Sequence, residues 1–160
     1  FFVATAGAEG RVNLSPKGLE SLHIDNAAQI SWLNLTGSGN ETAAHVLENK
    51  RMTMMFCSFG KQPLILRVYG DARMISLGDQ DWPAAIAKFP EYAGARQVFE
   101  LNIDLVQTSC GYAVPYYDFT GERETLDKWA AKKTSQEILD YQQEKNRTSL
   151  DNKPTGLPKA

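Results

Sequence analysis

The sequence has little net charge, no long apolar run and no leader-like segment. Its 17 Lys and Arg residues are balanced by 19 Asp and Glu residues, for a formal charge of −2. It therefore lacks the basic surplus that nucleic-acid binding requires. No apolar run reaches the ~18 residues of a membrane span, and no secretory signal is visible. These absences predict a cytoplasmic protein that binds neither nucleic acid nor a membrane. Because the chain begins with Phe rather than Met, we expect a trimmed natural N-terminus.

Cysteine and histidine are also scarce. The two cysteines, Cys57 and Cys110, lie in apolar settings without metal-like spacing, so we expect buried free thiols. The two histidines, His23 and His45, have no nucleophile or ligand set nearby, which leaves a hydrolase triad or a zinc site without support. The GxGxxG and GxxxxGK[ST] phosphate motifs are absent as well.

Seven β-prone runs dominate the first two thirds of the chain. They are Phe1–Ala6, Arg11–Leu14, Leu22–Ile24, Ala28–Leu35, Arg51–Phe59, Leu64–Ser76 and Arg96–Ser109. Short strands at close spacing favour an antiparallel barrel or sandwich over a doubly wound sheet. Pro16 is expected to interrupt a ladder, and Gly70 indicates a bulge or a barrel corner. The sequence thus predicts a mainly β (α+β) fold of six or seven strands.

Helical patterns lie between the strands and after them. Helical spacing is found at Thr42–Glu48, Asp81–Phe89, Glu122–Lys133 and Ser135–Asn146. The last segment, 148–160, is polar and contains Pro and Gly, so an extended tail is expected. The predicted organisation is a barrel domain over 1–120, C-terminal helices packed on it over 121–147, and the tail over 148–160.

The stretch Asn34–Leu47, NLTGSGNETAAHVL, joins an apolar strand to a helix start. Gly37 and Gly39 allow close backbone approach, and the neighbouring hydroxyl and amide side chains offer donors. The free N–H groups of a helix's first turn favour a phosphate. The stretch is therefore a candidate anion pocket. The alternative is a polar loop with Asn40 or Thr42 as the helix N-cap.

Seven stretches in chain order resemble the pyridoxamine 5′-phosphate oxidase-like flavoproteins, and within them an uncharacterised bacterial subgroup. They are FFVATA, GRVNLSPKG, LNLTGSGNETAAHVL, RMTMMFCSF, ILRVYGDARM, SCGYAVPYYDFTGERETLDKWA and YQQEKNRTSLD. The resemblance implies a split β-barrel that binds FMN, and a homodimer with one FMN in each of two clefts between subunits. It also implies an FMN-dependent oxidoreductase acting on an unknown small molecule. The alternatives are a non-catalytic FMN-binding or FMN-sequestering dimer, and a split barrel that uses deazaflavin or haem.

The resemblance also assigns residues to each part of the cofactor. The isoalloxazine ring is expected beside Asn13, Leu14, Ser15 and Pro16. The ring or the ribityl chain is expected beside Trp32 and Leu33, although core packing is the ordinary role of such residues. The phosphate is expected among Ser38, Asn40, Glu41 and Thr42.

Four more residues are implied with an alternative for each. Lys17 matches a lysine that contacts the substrate's phosphate in the oxidase, and is otherwise a solvated turn lysine. Arg67 is expected at the flavin or in an ion pair at the barrel rim. Cys110 and Tyr112 are expected on the substrate side of the flavin, or at a buried strand end with a glycine kink.

The sequence departs from the oxidase at the phosphate loop. Glu41 and Thr42 stand where the oxidase has an Arg-Lys pair, and a carboxylate repels phosphate by about 1 kcal/mol at ~4 Å in water. Either Glu41 turns away, caps the helix or pairs with an arginine, or positive charge comes from elsewhere. The candidate cations are Lys17, Arg11, Arg51 and Arg67. The oxidase's C-terminal Trp and Arg-Leu-His elements are not recognisable either, which argues against pyridoxal phosphate synthesis.

Overall fold

The apolar, β-prone runs form seven strands in the computed structural model, which describes residues 1–158. The last two residues of the expected tail, 159–160, lie outside the described residues. The strands are β1 (Phe2–Thr5), β2 (Asn13–Pro16), β3 (Leu22–Asn26), β4 (Gln29–Leu35), β5 (Arg51–Cys57), β6 (Ile65–Ser76) and β7 (Ala95–Ser109). The helices are α1 (Glu41–Glu48), α2 (Trp82–Ile86), α3 (Thr125–Ala131) and α4 (Ser135–Lys145). No helix within residues 1–158 is long and apolar enough to cross a bilayer.

All neighbouring strands pair antiparallel, in the order β2-β1-β5-β6-β7-β4-β3. The predicted mainly β, antiparallel split-barrel fold is confirmed, with seven strands. The order leaves β2 and β3 at the two ends of the sheet. β2 is therefore an edge strand, and its free side is available to other parts of the chain.

Alternation along the strands divides the apolar residues between two clusters. The main core contains Val3, Trp32, Met54 and Phe99. The rings of Trp32 and Phe99 stack there, with 4.8 Å between the ring centroids. Leu33, the next residue on β4, belongs to a second cluster that α2 helps to cover. One strand thus contributes side chains to both faces of the sheet.

Pro16 and Gly70 mark irregular points of the sheet. Pro16 is the last residue of β2, so it ends the strand instead of interrupting it. An edge strand tolerates a residue that lacks an N–H. Gly70 lies at a register shift between β6 and β7, which confirms the expected bulge. A Cβ at this position would stand 1.8 Å from the backbone oxygen of Asn102.

The C-terminal region folds back onto the barrel. α4 begins at a capping box formed by Thr134 and Glu137, and residues 148–158 follow it. Thr148 and Pro154 form a β-bridge, and Ser149 and Thr155 are buried. The described part of the expected tail is therefore packed rather than extended.

The two cysteines are free, as expected, but only one is partly buried. Cys57 ends β5 and is half-buried, whereas Cys110 is exposed. The predicted burial of Cys110 is wrong because β7 ends at Ser109 and the chain then leaves the sheet.

Gly70 provides a test of the bulge. Gly70→Ala is expected to lower the free energy of unfolding by about 3 kcal/mol, because its methyl group meets backbone rather than a movable side chain. The corresponding fall in Tm, measured by circular dichroism, is about 6–12 °C. Gly60→Ala is the matched control, since nothing lies within 4 Å of a Cβ there. Equal Tm values for the two variants would contradict this account of the bulge.

Candidate functional site

A pocket of about 230 Å³ lies between the edge strand β2 and the loop from β4 into α1. Alternation along β2 brings Asn13, Ser15 and, just beyond the strand, Lys17 to this pocket. The side-chain Nδ2 of Asn13 donates a hydrogen bond to the hydroxyl of Thr42 at 3.2 Å, and this bond links β2 to the start of α1. The predicted site residues that line the pocket are Asn13, Ser15, Lys17, Asn40, Glu41 and Thr42.

The first turn of α1 has no side-chain cap. Asn40 is the N-cap residue, but its side chain bonds none of the helix N–H groups. Its Nδ2 donates instead to the carbonyl of Asn146 at 3.3 Å, and its Oδ1 accepts from Asn34 Nδ2 at 3.3 Å. The first-turn N–H groups, together with the positive end of the helix dipole, therefore remain available to an anion.

Lys17 supplies one positive charge to the pocket. Its ammonium lies over the indole of Trp32, 4.9 Å from the ring centroid. Burial, together with the nearby charge of Arg96, lowers the pKa of Lys17 to about 8. The site therefore destabilises the protonated, charged form of Lys17 unless a negative group lies nearby.

Arg96, at the start of β7, supplies a second positive charge. It is 4% exposed, and its Nη2 donates to the carbonyl of Gly39 at 3.1 Å. Its Nε and Nη1 are buried and have no hydrogen-bond partner within residues 1–158. Burial lowers the pKa of Arg96 to about 10. We name this space, which lies between Lys17 and Arg96, the cation-lined pocket.

Neither cation is neutralised by a carboxylate. In the part of the chain that the structure describes, no ion pair includes Lys17 or Arg96. A desolvated charge without a partner costs several kcal/mol. Two such charges beside free helix N–H groups form a site whose chemistry suits an anion with several oxygens, such as a phosphate.

Sequence reasoning missed Arg96 and named other cations. Arg11 forms an ion pair with Asp151. Arg67 donates to the hydroxyl of Ser109 at 3.1 Å, away from the cation-lined pocket. The sequence carries no signal for Arg96, because the burial of its side chain and its bond to Gly39, 57 residues away, arise only in the folded structure.

Arg51, the remaining candidate cation, is exposed. It lines a separate pocket of about 410 Å³ together with Asp71 and Asp104. Because carboxylates share that space, it is a poorer anion site than the cation-lined pocket.

Glu41 faces the C-terminal segment. Its two carboxylate oxygens accept hydrogen bonds from the backbone N–H of Leu150 at 3.1 and 3.0 Å. Of the alternatives raised for this residue, the structure agrees with the one in which the carboxylate turns to another partner. The bond directs the carboxylate toward the Leu150 N–H, although Glu41 still lines the pocket and keeps its negative charge there.

An adjoining chamber of about 570 Å³ shares a wall with the cation-lined pocket, formed by Lys17, Asn34, Leu35 and Gly37. Its lining includes the predicted residues Pro16 and Leu33 and the further leucines Leu19 and Leu126. The two spaces lie side by side and are together called the cleft, with the cations in the smaller space and a larger, partly apolar volume beside it. Such a shape suits a molecule with an anionic end and a flat organic body.

Four predicted cofactor residues line neither space: Leu14, Trp32, Ser38 and Arg67. Trp32 has no exposed surface and lies in the core, the ordinary role named for it, rather than in the lining of either space. Its indole acts on the pocket only through Lys17. Leu14 and Ser38 are exposed.

The two residues predicted on the substrate side lie elsewhere. Tyr112 is 83% exposed and borders a separate pocket with Ser58 and Tyr116. Cys110 is exposed at the end of β7. The structure does not bring either residue to the cation-lined pocket or to the adjoining chamber.

Comparison with known proteins identifies the family. Residues 1–110 match the family model described as pyridoxamine 5′-phosphate oxidase. The pyridoxamine 5′-phosphate oxidase family protein ustO of Aspergillus flavus is 36% identical over 176 aligned residues, which cover 99% of this chain and 69% of that protein.

Solved structures show the same fold. A candidate pyridoxamine 5′-phosphate oxidase from Lactobacillus delbrueckii is 23% identical, with a TM-score of 0.54 over 66% of this chain and 81% of that one. HupZ of Group A Streptococcus is 19% identical, with a TM-score of 0.53 over 68% of this chain and 83% of that one. The sequence matches and the fold agree, and the chain belongs to the pyridoxamine 5′-phosphate oxidase family.

Proposed function

We propose that this protein binds FMN, with the phosphate in the cation-lined pocket, and that it is an FMN-dependent oxidoreductase acting on a small organic substrate. The observation that carries the proposal is Arg96, whose two unpartnered nitrogens lie buried beside the uncapped start of α1. Family membership supports a flavin as the source of the anion.

The residues present fit each part of FMN. The cation-lined pocket offers Lys17, Arg96, the Thr42 hydroxyl and the first-turn N–H groups of α1 to a phosphate. The adjoining chamber offers an apolar wall that includes Leu33 and Leu126 to the rest of the molecule. The proposed site therefore replaces the oxidase's Arg-Lys pair with charges from β2 and β7.

Bound FMN would supply the redox chemistry by accepting a hydride from a donor and passing electrons to an acceptor. The protein's part is to bind and orient. Arg96 and the start of α1 fix the phosphate end, so the flavin is held by a group remote from the reacting ring. Lys17 borders both spaces, so its charge is placed to serve the cofactor phosphate and a polar substrate group alike. No side chain is required as a strong base.

Haem, an alternative cofactor of this fold, fits the cleft less well. Haem iron takes an axial ligand such as His, Cys or Met, and none of these lines the cation-lined pocket or the adjoining chamber. His45 is 1% exposed, and its Nδ1 lies 3.0 Å from the hydroxyl of Thr5. His45 is therefore buried and bonded through Nδ1. The residues that line the cleft favour an anionic organic cofactor over haem.

A homodimer is part of the proposal. Val12 just before β2, Leu14 on β2, and Leu105 and Val106 on β7 are exposed, and so are Tyr112 and Phe119 after β7. Large apolar groups exposed together mark association surfaces. A second copy beside β2 would also help to enclose the cleft, which is open in a single chain.

The cofactor and the reaction are tested together. Purified protein is expected to be yellow or to bind added FMN, and a mass spectrum of the extracted ligand is expected to show FMN rather than deazaflavin or haem. Anaerobic NADH or NADPH is expected to bleach the flavin, and air to restore its colour. Protein that neither carries nor binds FMN would contradict the proposal. FMN that no donor reduces would leave a binding protein and reject the oxidoreductase.

A second prediction concerns pH. Because the pKa of Lys17 is lowered to about 8, its charge is present at pH 7 and is lost as pH rises. FMN affinity is therefore expected to fall about tenfold between pH 7 and pH 9, since binding must then recover a proton. Fluorescence titration across this range measures the profile. Lys17→Met is the control, with weaker affinity and a flat profile. Identical slopes for the two proteins would contradict the role of Lys17.

A further inference from the structure

Part of the chain that the family model does not match contacts the loop beside the cation-lined pocket. The model covers residues 1–110, whereas residues 142–151, the end of α4 and the start of the packed tail, lie against the loop before α1. We name this segment, 142–151, the C-terminal clamp. Gln142, near its start, donates from Nε2 to the hydroxyl of Thr36 at 2.8 Å, and Leu150, near its end, donates to Glu41.

Asn146 is the centre of the clamp. It is completely buried, and its Nδ2 donates to the carbonyl of Gly37 at 2.9 Å. Its own carbonyl accepts from Asn40 Nδ2 at 3.3 Å and from the hydroxyl of Thr155 at 2.6 Å. The loop is thus held at Gly37 and at Asn40, the residues on either side of its turn.

This arrangement changes what Asn40 does. Asparagine at an N-cap normally accepts a hydrogen bond from the second or third helical N–H. Here the Asn40 side chain is already bonded: its Nδ2 donates to the backbone carbonyl of Asn146, and its Oδ1 accepts from Asn34 Nδ2. α1 has no side-chain cap. An ordinary cap would compete with a ligand for the same N–H groups.

An independent observation indicates that these N–H groups face a ligand site. Arg96, from a different strand, donates to the carbonyl of Gly39 and leaves Nε and Nη1 buried without a partner beside the same turn. Asn146 and Arg96 therefore both donate hydrogen bonds to backbone carbonyls of this loop, and the cation-lined pocket lies beside it.

We propose that Asn146 is a positioning residue for the anion site. Its Nδ2 bond to the Gly37 carbonyl fixes its own backbone carbonyl beside Asn40. That carbonyl holds the Asn40 side chain away from the start of α1, so that the first-turn N–H groups stay free for the cofactor phosphate. The proposal rests on the proposed FMN function for the identity of the ligand. It gives the C-terminal segment a part in cofactor binding although the segment supplies no side chain to the pocket lining.

The test compares FMN with riboflavin, which lacks the phosphate. Asn146→Ala removes the bond from Nδ2 to the Gly37 carbonyl, which fixes the Asn146 backbone against the loop. It is expected to weaken FMN binding about tenfold, the effect of losing roughly one well-formed hydrogen bond, and to leave riboflavin affinity unchanged. A merely structural role would lower both affinities. Gln136→Ala is the matched control, because its amide bonds only Asp140 on the exposed face of α4. It should change neither affinity.

A second variant guards against loss of folding. Asn40→Ser keeps a neutral N-cap residue that can cap α1 itself, and its side chain is too short to reach the Asn146 carbonyl. We expect FMN affinity to fall about tenfold while Tm is retained, because the cap then competes with the phosphate. If Asn146→Ala does not fold, this variant decides the question.

Each outcome is assigned in advance. An FMN-to-riboflavin affinity ratio equal to that of the wild type in both variants overturns the positioning role and leaves the proposed function intact. Wild-type protein that binds no FMN overturns the proposed function. In that case inorganic phosphate serves as the probe, with backbone amide NMR shifts of Glu41 and Thr42 as the readout. Shifts that are lost in Asn40→Ser support the positioning role, and no shifts in the wild type overturn it.

Discussion

An unpaired, buried positive charge is the constraint on which this structure depends. Arg96 enters the protein at the head of β7 with two nitrogens lacking partners, and Lys17 adds a second desolvated cation from the end of β2. Their mutual repulsion and burial both favour an anion between them. The uncapped start of α1 meets the same requirement. The proposed anion site accounts for polar groups from three distant parts of the chain that lack partners at one place.

The fold creates this place by leaving the sheet open. β2 is an edge strand, so its polar face is free to meet the loop that follows β4. The Asn13–Thr42 hydrogen bond joins the two, and the C-terminal clamp holds the loop from the other side. Glu41, which appears to oppose a phosphate when the sequence is read alone, bonds the Leu150 N–H instead. The Glu41 carboxylate thereby joins the C-terminal clamp to the start of α1.

Much of this could be predicted from the sequence. Alternation and turn residues indicated six or seven antiparallel strands and a bulge or barrel corner at Gly70, and the glycine-rich loop indicated the candidate anion pocket. The role of Arg96 could not be predicted, because it depends on β7 lying beside a loop almost 60 residues earlier in the chain. Trp32 was placed beside the flavin by the family resemblance, whereas its apolar setting on a strand favoured core packing, which is where the structure has it.

The account depends most on Arg96, and its replacement is the most direct test. Arg96→Met keeps an apolar stem of similar shape and removes the charge and the donors. Titration of FMN followed by flavin fluorescence is expected to show a loss of affinity of about 10- to 100-fold, with riboflavin affinity unchanged. Arg51→Met, an exposed arginine on β5, is expected to bind FMN like the wild type. Unchanged FMN affinity in Arg96→Met, or an equal loss for riboflavin, would contradict the account.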